Sequence, residues 1–318
     1  MSDFIIFGCG KIGNEYASIL KKLGHNIKLA FGKNNSDSHI KLAKKYNTEF
    51  SSDLNIFNNH DFNYDGIIIS IPPSENLEWI NKIRPTNILI EKPGKNNSFE
   101  LNLLNKDKHK IFIAYNRKFY KSFSHLNSFV KRQINPCNVT VNIPESISPG
   151  VDHYGTQKPY NLIYNSCHII SILRSVFGDL NFKKTFNSNE LFINNSALLH
   201  AKTSLGHFIN LMINLDEFSN TSINVKGDKD SIILKPIEES QEITGIESYI
   251  DQKNNIRRYS PIISKKETSY CEFGFKPGFY LQVKDFASFC AEGKNSSGSL
   301  TDIKEGIEII KEIEFFLS

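Results

Sequence analysis

Apolar residues in the first third of the chain fall into short unbroken runs separated by amphipathic stretches. Phe4-Ile5-Ile6-Phe7, Ile27 to Phe31, Ile67-Ile68-Ile69-Ser70, Asn87-Ile88-Leu89-Ile90 and Ile111 to Ala114 predict strands buried on both faces, as in parallel sheets. Between them, Ile12, Ala17, Ile19, Leu20 and Leu23 recur at helical spacing before a stop at Gly24. Ile40 to Tyr46, Asn76 to Ile83 and Ser98 to Asn105 also predict helices. Strands alternating with helices over short links predict a doubly wound parallel sheet.

From about Tyr120 the rhythm changes. A helical stretch precedes the alternating segment Val139 to Ile143, a further helix ends near Phe177-Gly178, and strand-like runs follow. Leu191-Phe192-Ile193, Ala197 to Thr203, His207 to Leu215, Ser222 to Lys226 and Ser231 to Leu234 predict a largely antiparallel sheet. Two helices close the chain. Phe279, Val283, Phe286 and Cys290 share one face of the first, which Gly293 ends, and a capping box at Ser299 and Asp302 opens the second before Ile303, Ile307 and Ile310. The expectation is an α/β protein of two domains: residues 1–119, doubly wound, and residues 120–318, α+β with an open, mostly antiparallel sheet.

The turn after the first strand carries chemistry. Gly8-Cys9-Gly10-Lys11-Ile12-Gly13 leads from strand into helix, the context in which a glycine fingerprint binds a dinucleotide. The first glycine permits the tight turn, the second lets backbone approach a pyrophosphate, and the third lets helix and strand pack closely. Phosphates would meet free amides and the positive dipole end at the helix start. The same turn in an S-adenosylmethionine enzyme is the competing reading. After the second strand, where NAD enzymes place an acid for the ribose, the chain reads Phe31-Gly32-Lys33-Asn34-Asn35-Ser36. Lys33, Asn34 and Ser36 suit a 2′-phosphate, so NADP is expected before NAD.

The formal charge is +4, with Lys and Arg dispersed among Asp and Glu, which points to neither nucleic acid nor membrane as a partner. Five cysteines without paired metal-ligand spacing suggest reduced thiols, no metal site and a cytoplasmic protein. A first strand starting almost at Met1 gives the expectation of no signal peptide.

Further motifs occur in a recognisable order: Ser70-Ile71-Pro72-Pro73, Glu91-Lys92-Pro93, Tyr115-Asn116-Arg117-Lys118-Phe119, then a helix bearing His168 before Phe177-Gly178-Asp179. In this order the chain resembles the glucose-fructose oxidoreductase/inositol dehydrogenase family, Gfo/Idh/MocA. The resemblance implies an N-terminal Rossmann domain, a C-terminal domain whose open sheet forms a dimer or tetramer interface, and a nicotinamide between the two. It implies hydride transfer with a sugar, nucleotide sugar or polyol, with Lys92 and His168 as catalytic residues. Gly8, Gly10, Lys11, Ile12, Gly13, Ser70, Pro72, Glu91 and Asn116 would lie along the cofactor, with Arg117 and Lys118 towards an acidic or phosphorylated substrate.

Lys118, Lys121 and His125 together suggest a basic edge for a diphosphate. One departure stands out: the family's Asp one turn from the histidine is replaced by Tyr164 and Ser171. Tyr164 and Asn165 are the available hydrogen-bonding neighbours there. That departure keeps open a second reading, a non-catalytic dinucleotide-binding sensor or regulatory protein.

Overall fold

A computed structural model describes residues 1–318 except 33–36, 60, 105–108, 146–164, 185–195, 216, 296 and 318. Contacts divide the chain into one unit of Met1–Phe119 with Cys271–Phe315 and another of Tyr120–Tyr270 with Phe316–Ser318.

The first unit follows the expected order: β1 (Asp3–Phe7), α1 (Lys11–Lys22), β2 (Asn26–Phe31), α2 (Asp37–Tyr46), β3 (Glu49–Ser51), β4 (Gly66–Ile69), α3 (Asn76–Ile80), β5 (Asn87–Ile90), α4 (Ser98–Leu104) and β6 (Lys110–Ile113). Near the end of the chain come α7 (Phe279–Glu292), β15 (Thr301–Asp302) and α8 (Ile303–Leu317). The sheet order is β15-β6-β5-β4-β1-β2-β3, parallel throughout except for β15 against β6. The order reverses between β1 and β4, the switch point at which open α/β sheets bind ligands beyond the strand carboxyl ends. Phe4, Ile5, Ile6, Ile67, Ile68 and Ile69 are completely buried, as their unbroken runs require.

Residues 271–315 group with the first unit, not with a contiguous second domain of 120–318. The apolar face of α7 finds its partners there. Phe286 packs 6.1 Å from Phe4 and 6.2 Å from Phe112, and Phe279 stacks 5.5 Å from Tyr16 (ring centroids). β15 then adds to the open edge of β6, and α8 is capped by Asp302, which accepts a hydrogen bond from the Glu305 N–H (2.9 Å), and not by Ser299 as the expected capping box has it.

The second unit holds α5 (Lys121–Lys131), β7 (Asn138–Glu145), α6 (Cys167–Phe177), β8 (Leu180–Lys184), β9 (Ser196–Thr203), β10 (Phe208–Leu215), β11 (Ser222–Lys226), β12 (Ser231–Leu234), β13 (Glu239–Asp251) and β14 (Ile256–Thr268). Its sheet runs β14-β13-β12-β11-β7-β10-β9-β8, antiparallel except for the β7–β10 pair. Ala197, Leu199, Ala201, Ile209, Leu211 and Ile213 point into the core, while Leu198, Phe208 and Met212 alternate onto an exposed face. The expected strand at Leu191–Ile193 lies outside the described residues. Among the described residues no helix is long and apolar enough to cross a membrane.

Candidate dinucleotide and catalytic site

The glycine loop behaves as its sterics demand. Gly8 has φ +89°, and a Cβ there would lie 2.6 Å from the Ser70 carbonyl oxygen. At Gly13 a Cβ would lie 1.9 Å from the Gly8 carbonyl oxygen and 2.8 Å from Ser70 Oγ. Gly10 differs: a Cβ would meet nothing within 4 Å. Two glycines therefore let backbone meet backbone, and the one between them faces open space.

Gly10 opens α1 without a side-chain cap, and no acid occupies the first turn. The leading amides of α1, from Lys11, Ile12 and Gly13, are thus positioned to take an anion. The loop is tied to neighbouring strands: Gly8 N–H donates to Phe31 O (2.9 Å), while Ser70 donates from N–H to Phe7 O (2.8 Å) and from Oγ to Gly8 O (2.6 Å). These residues fit a dinucleotide diphosphate, with contacts supplied by backbone. Cys9 adds no thiolate, because burial pushes its thiol up to about 12.

The exit of β5 forms the second element. Glu91, Lys92 and a cis Lys92–Pro93 bond follow Ile90 directly, and the neighbouring chain holds this corner. Asn76 Nδ2 donates to Gly94 O (2.9 Å), and the buried Lys95 donates from Nζ to Pro73 O (2.8 Å) and Ser74 O (3.2 Å). Lys95, absent from the sequence reading, thus pins the Pro72-Pro73 turn to the Lys92 corner. Tyr16, also missed, sits at an apolar position of α1 and donates its hydroxyl hydrogen bond to Glu91 Oε1. Burial pushes the Glu91 carboxyl upward, against the pull of the Tyr16 hydroxyl and the charges of Lys92 and Lys276.

Asn116 opens a short 3-10 turn, Asn116–Phe119, and donates from Nδ2 to Pro277 O (3.1 Å). Lys118 departs from the expected ligand contact. Its Nζ donates to Glu305 Oε1 (3.0 Å) and Thr301 Oγ1 (2.9 Å), with the side chain only 5% exposed, so its charge is used internally. The expected basic edge at His125 is corrected likewise. His125 is buried between Ser240 Oγ (2.9 Å) and Glu242 Oε2 (3.1 Å), and Arg132 also reaches Glu242 (2.8 Å).

His168 lies in the second unit, buried in the first turn of α6. Preceding it, Ser166 Oγ donates to Glu145 Oε1 (2.7 Å) and Asn165 Nδ2 to Glu145 Oε2 (3.2 Å). Glu145 is a buried carboxylate at the end of β7 which the sequence reading missed, since nothing local links it to α6. Tyr164, and the cofactor-selecting Lys33, Asn34 and Ser36, lie outside the described residues.

No protein-family model matches the sequence, and no curated protein matches it. Solved structures do match. An oxidoreductase from Thermotoga maritima superposes with a TM-score of 0.72 at 16% identity, covering 98% of this chain and 94% of its own. An oxidoreductase from Agrobacterium radiobacter in complex with NAD+, L-tartaric acid and magnesium gives 0.70 at 11% identity, covering 98% and 94%. The WlbA dehydrogenase from Bordetella pertussis, in complex with NADH and UDP-GlcNAcA, gives 0.68 at 12% identity, covering 98% and 93%. The chain therefore has the fold of these oxidoreductases, with a mostly parallel sheet followed by a largely antiparallel one.

Proposed function

We propose that this chain is an NAD(P)-dependent oxidoreductase of the Gfo/Idh/MocA type, exchanging hydride with a carbinol carbon of a sugar, nucleotide sugar or polyol. The observation that carries this reading is the arrangement at the switch point. A glycine cradle without a side-chain cap lies at the exit of β1, and the braced Glu91-Lys92 corner lies at the exit of β5, across β4. Similar folds crystallised with NAD+ and NADH, one of them with UDP-GlcNAcA, support the cofactor class and the kind of substrate.

A bound nicotinamide supplies the hydride acceptor or donor. The chain's own groups handle the hydroxyl: Lys92 hydrogen-bonds the developing alkoxide and His168 exchanges the proton, or the two roles are reversed. Arg117 is the remaining candidate for an anionic substrate group, and Asn165 is a hydrogen-bonding candidate. NADP is the favoured cofactor, on the strength of Lys33, Asn34 and Ser36. A homodimer or homotetramer through the exposed face bearing Leu198, Phe208 and Met212 completes the reading.

The test begins by denaturing purified protein and identifying any released nicotinamide. Calorimetric titration with all four NAD(P) forms follows, and then a carbohydrate panel read by the absorbance of the reduced ring. Lys92→Ala should lower turnover by about 10²- to 10⁴-fold while leaving cofactor affinity near wild type. Full activity in that variant removes Lys92 from the mechanism, and failure to bind any of the four dinucleotides refutes the function.

A further inference from the structure

Tyr16 has a position that the dinucleotide cradle alone does not require. It lies one turn beyond the amides of α1, is 1% exposed, and stacks on Phe279 of α7. A buried tyrosine usually turns its hydroxyl to a partner, and here the partner is the carboxylate of Glu91. Glu91 also accepts from the Lys92 backbone N–H, so one carboxylate joins the interior of α1 to the corner that presents Lys92. The charged groups around it are few: Lys92 on its own segment, Lys276 ahead of α7, and Glu15 on α1, which pairs with Lys276 at 3.6 Å.

The strand order decides which half of a dinucleotide meets this carboxylate. The diphosphate belongs at the start of α1, over β1, and β2 and β3 extend the sheet on one side while β4 and β5 extend it on the other. In such sheets each mononucleotide half takes one side of the switch point, and the ribose acid for the adenosine half follows β2. Glu91, at the exit of β5, therefore belongs to the nicotinamide side. An oxidised nicotinamide ring is cationic and a reduced one is neutral, so a carboxylate on that side interacts differently with the two.

We propose that Tyr16 is a positioning residue that holds the Glu91 carboxylate at the nicotinamide half of the crevice and so sets how strongly the site prefers the oxidised over the reduced cofactor. The inference rests on the proposed dinucleotide function. It assigns to a buried phenol a part in redox-form selectivity without contact to the substrate. Without the phenol, the carboxylate loses a hydrogen bond that favours its charged form and takes up a proton more readily.

Calorimetric dissociation constants for the oxidised and reduced dinucleotide test this in wild type, Tyr16→Phe, Glu91→Gln and the double variant. Phenylalanine keeps the ring on Phe279, so the packing of α1 is retained. Tyr16→Phe should weaken the oxidised form relative to the reduced by about tenfold. Glu91→Gln should do the same, and the double variant should add nothing further. In wild type the preference for the oxidised form should grow as pH rises through the Glu91 titration, and in Glu91→Gln it should be flat. Equal shifts for both forms, no shift, or additive effects in the double variant overturn the inference while wild-type binding keeps the parent function intact. A wild-type protein that binds neither form overturns both.

Discussion

Gly10 and Gly13 sit three residues apart in one loop, yet the same change, glycine to alanine, should break different properties. At Gly13 a methyl group would stand 1.9 Å from the Gly8 carbonyl oxygen and 2.8 Å from Ser70 Oγ. Tolerable carbon–oxygen contact requires the loop and helix to part by more than about 1 Å, in a layer packed as densely as a crystal. The displaced groups are themselves bonded, Ser70 Oγ to Gly8 O at 2.6 Å. Alanine within a helix gains about 1 kcal/mol over glycine, but overpacking costs about 1–3 kcal/mol, and loss of the Ser70 bond adds about 1 kcal/mol. Gly13→Ala should therefore destabilise the protein by roughly 1–3 kcal/mol net.

Gly10→Ala meets nothing within 4 Å, at φ −68°, a backbone that alanine adopts freely. Its stability should stay within about 1 kcal/mol of wild type, the range of a change at an uncharged helix cap. On the proposed function its methyl group would occupy the approach of the diphosphate, so affinity for NAD(P) should fall by at least about tenfold, or 1.4 kcal/mol. Urea unfolding followed by circular dichroism, with calorimetric titration on the folded variants, separates the two effects. Wild-type stability in Gly13→Ala together with wild-type affinity in Gly10→Ala would refute the steric account of the loop.

Other outcomes follow from buried groups. Glu242 is opposed by burial, yet Arg132 and His125 hold its carboxyl below the usual range. A depressed carboxyl contributes stability above its unfolded pKa and loses it as pH falls through the folded one. Arg132→Gln should accordingly flatten the acid-side fall in stability below about pH 4.3, and an unchanged urea midpoint-against-pH profile would argue against that ion pair. Thiol labelling of native protein near neutral pH should modify the exposed Cys271 first. Burial pushes Cys9 and Cys290 up to about 12 and Cys137 to about 11, so these should react only on unfolding. Rapid native labelling of Cys9 would show that the loop opens. Lys118→Ala should lower stability by about 1–3 kcal/mol through the stranded Glu305, with nucleotide affinity unaltered. Loss of affinity at full stability would restore Lys118 to the ligand site.

The elements that read cleanly from the chain are those whose cause is local. β1, β4 and β5 are unbroken apolar runs because both faces are covered, and the glycine loop is legible because only glycine tolerates its turn and close approach. The β13–β14 hairpin escaped notice because its outer half has both faces exposed, Ile246, Tyr249 and Tyr259 among them, and so carries no alternation. Lys118 and His125 look like ligand-binding cations in sequence. Their partners, Glu305 and Glu242, stand 187 and 117 residues away, and no local pattern announces such pairs.

Sequence alone determined the alternation of strand and helix, the change of rhythm near Tyr120 and the steric form of the loop from Gly8 to Gly13, since sterics and periodicity act over a few residues. Tertiary structure decided the rest. It returned α7 and β15 to the first unit, spent Lys118 and His125 on internal carboxylates, and brought Tyr16 onto Glu91 and Ser166 onto Glu145. Each of those outcomes depends on which surfaces remain open once the sheets have formed, a property of the packed layers that no stretch of chain encodes by itself.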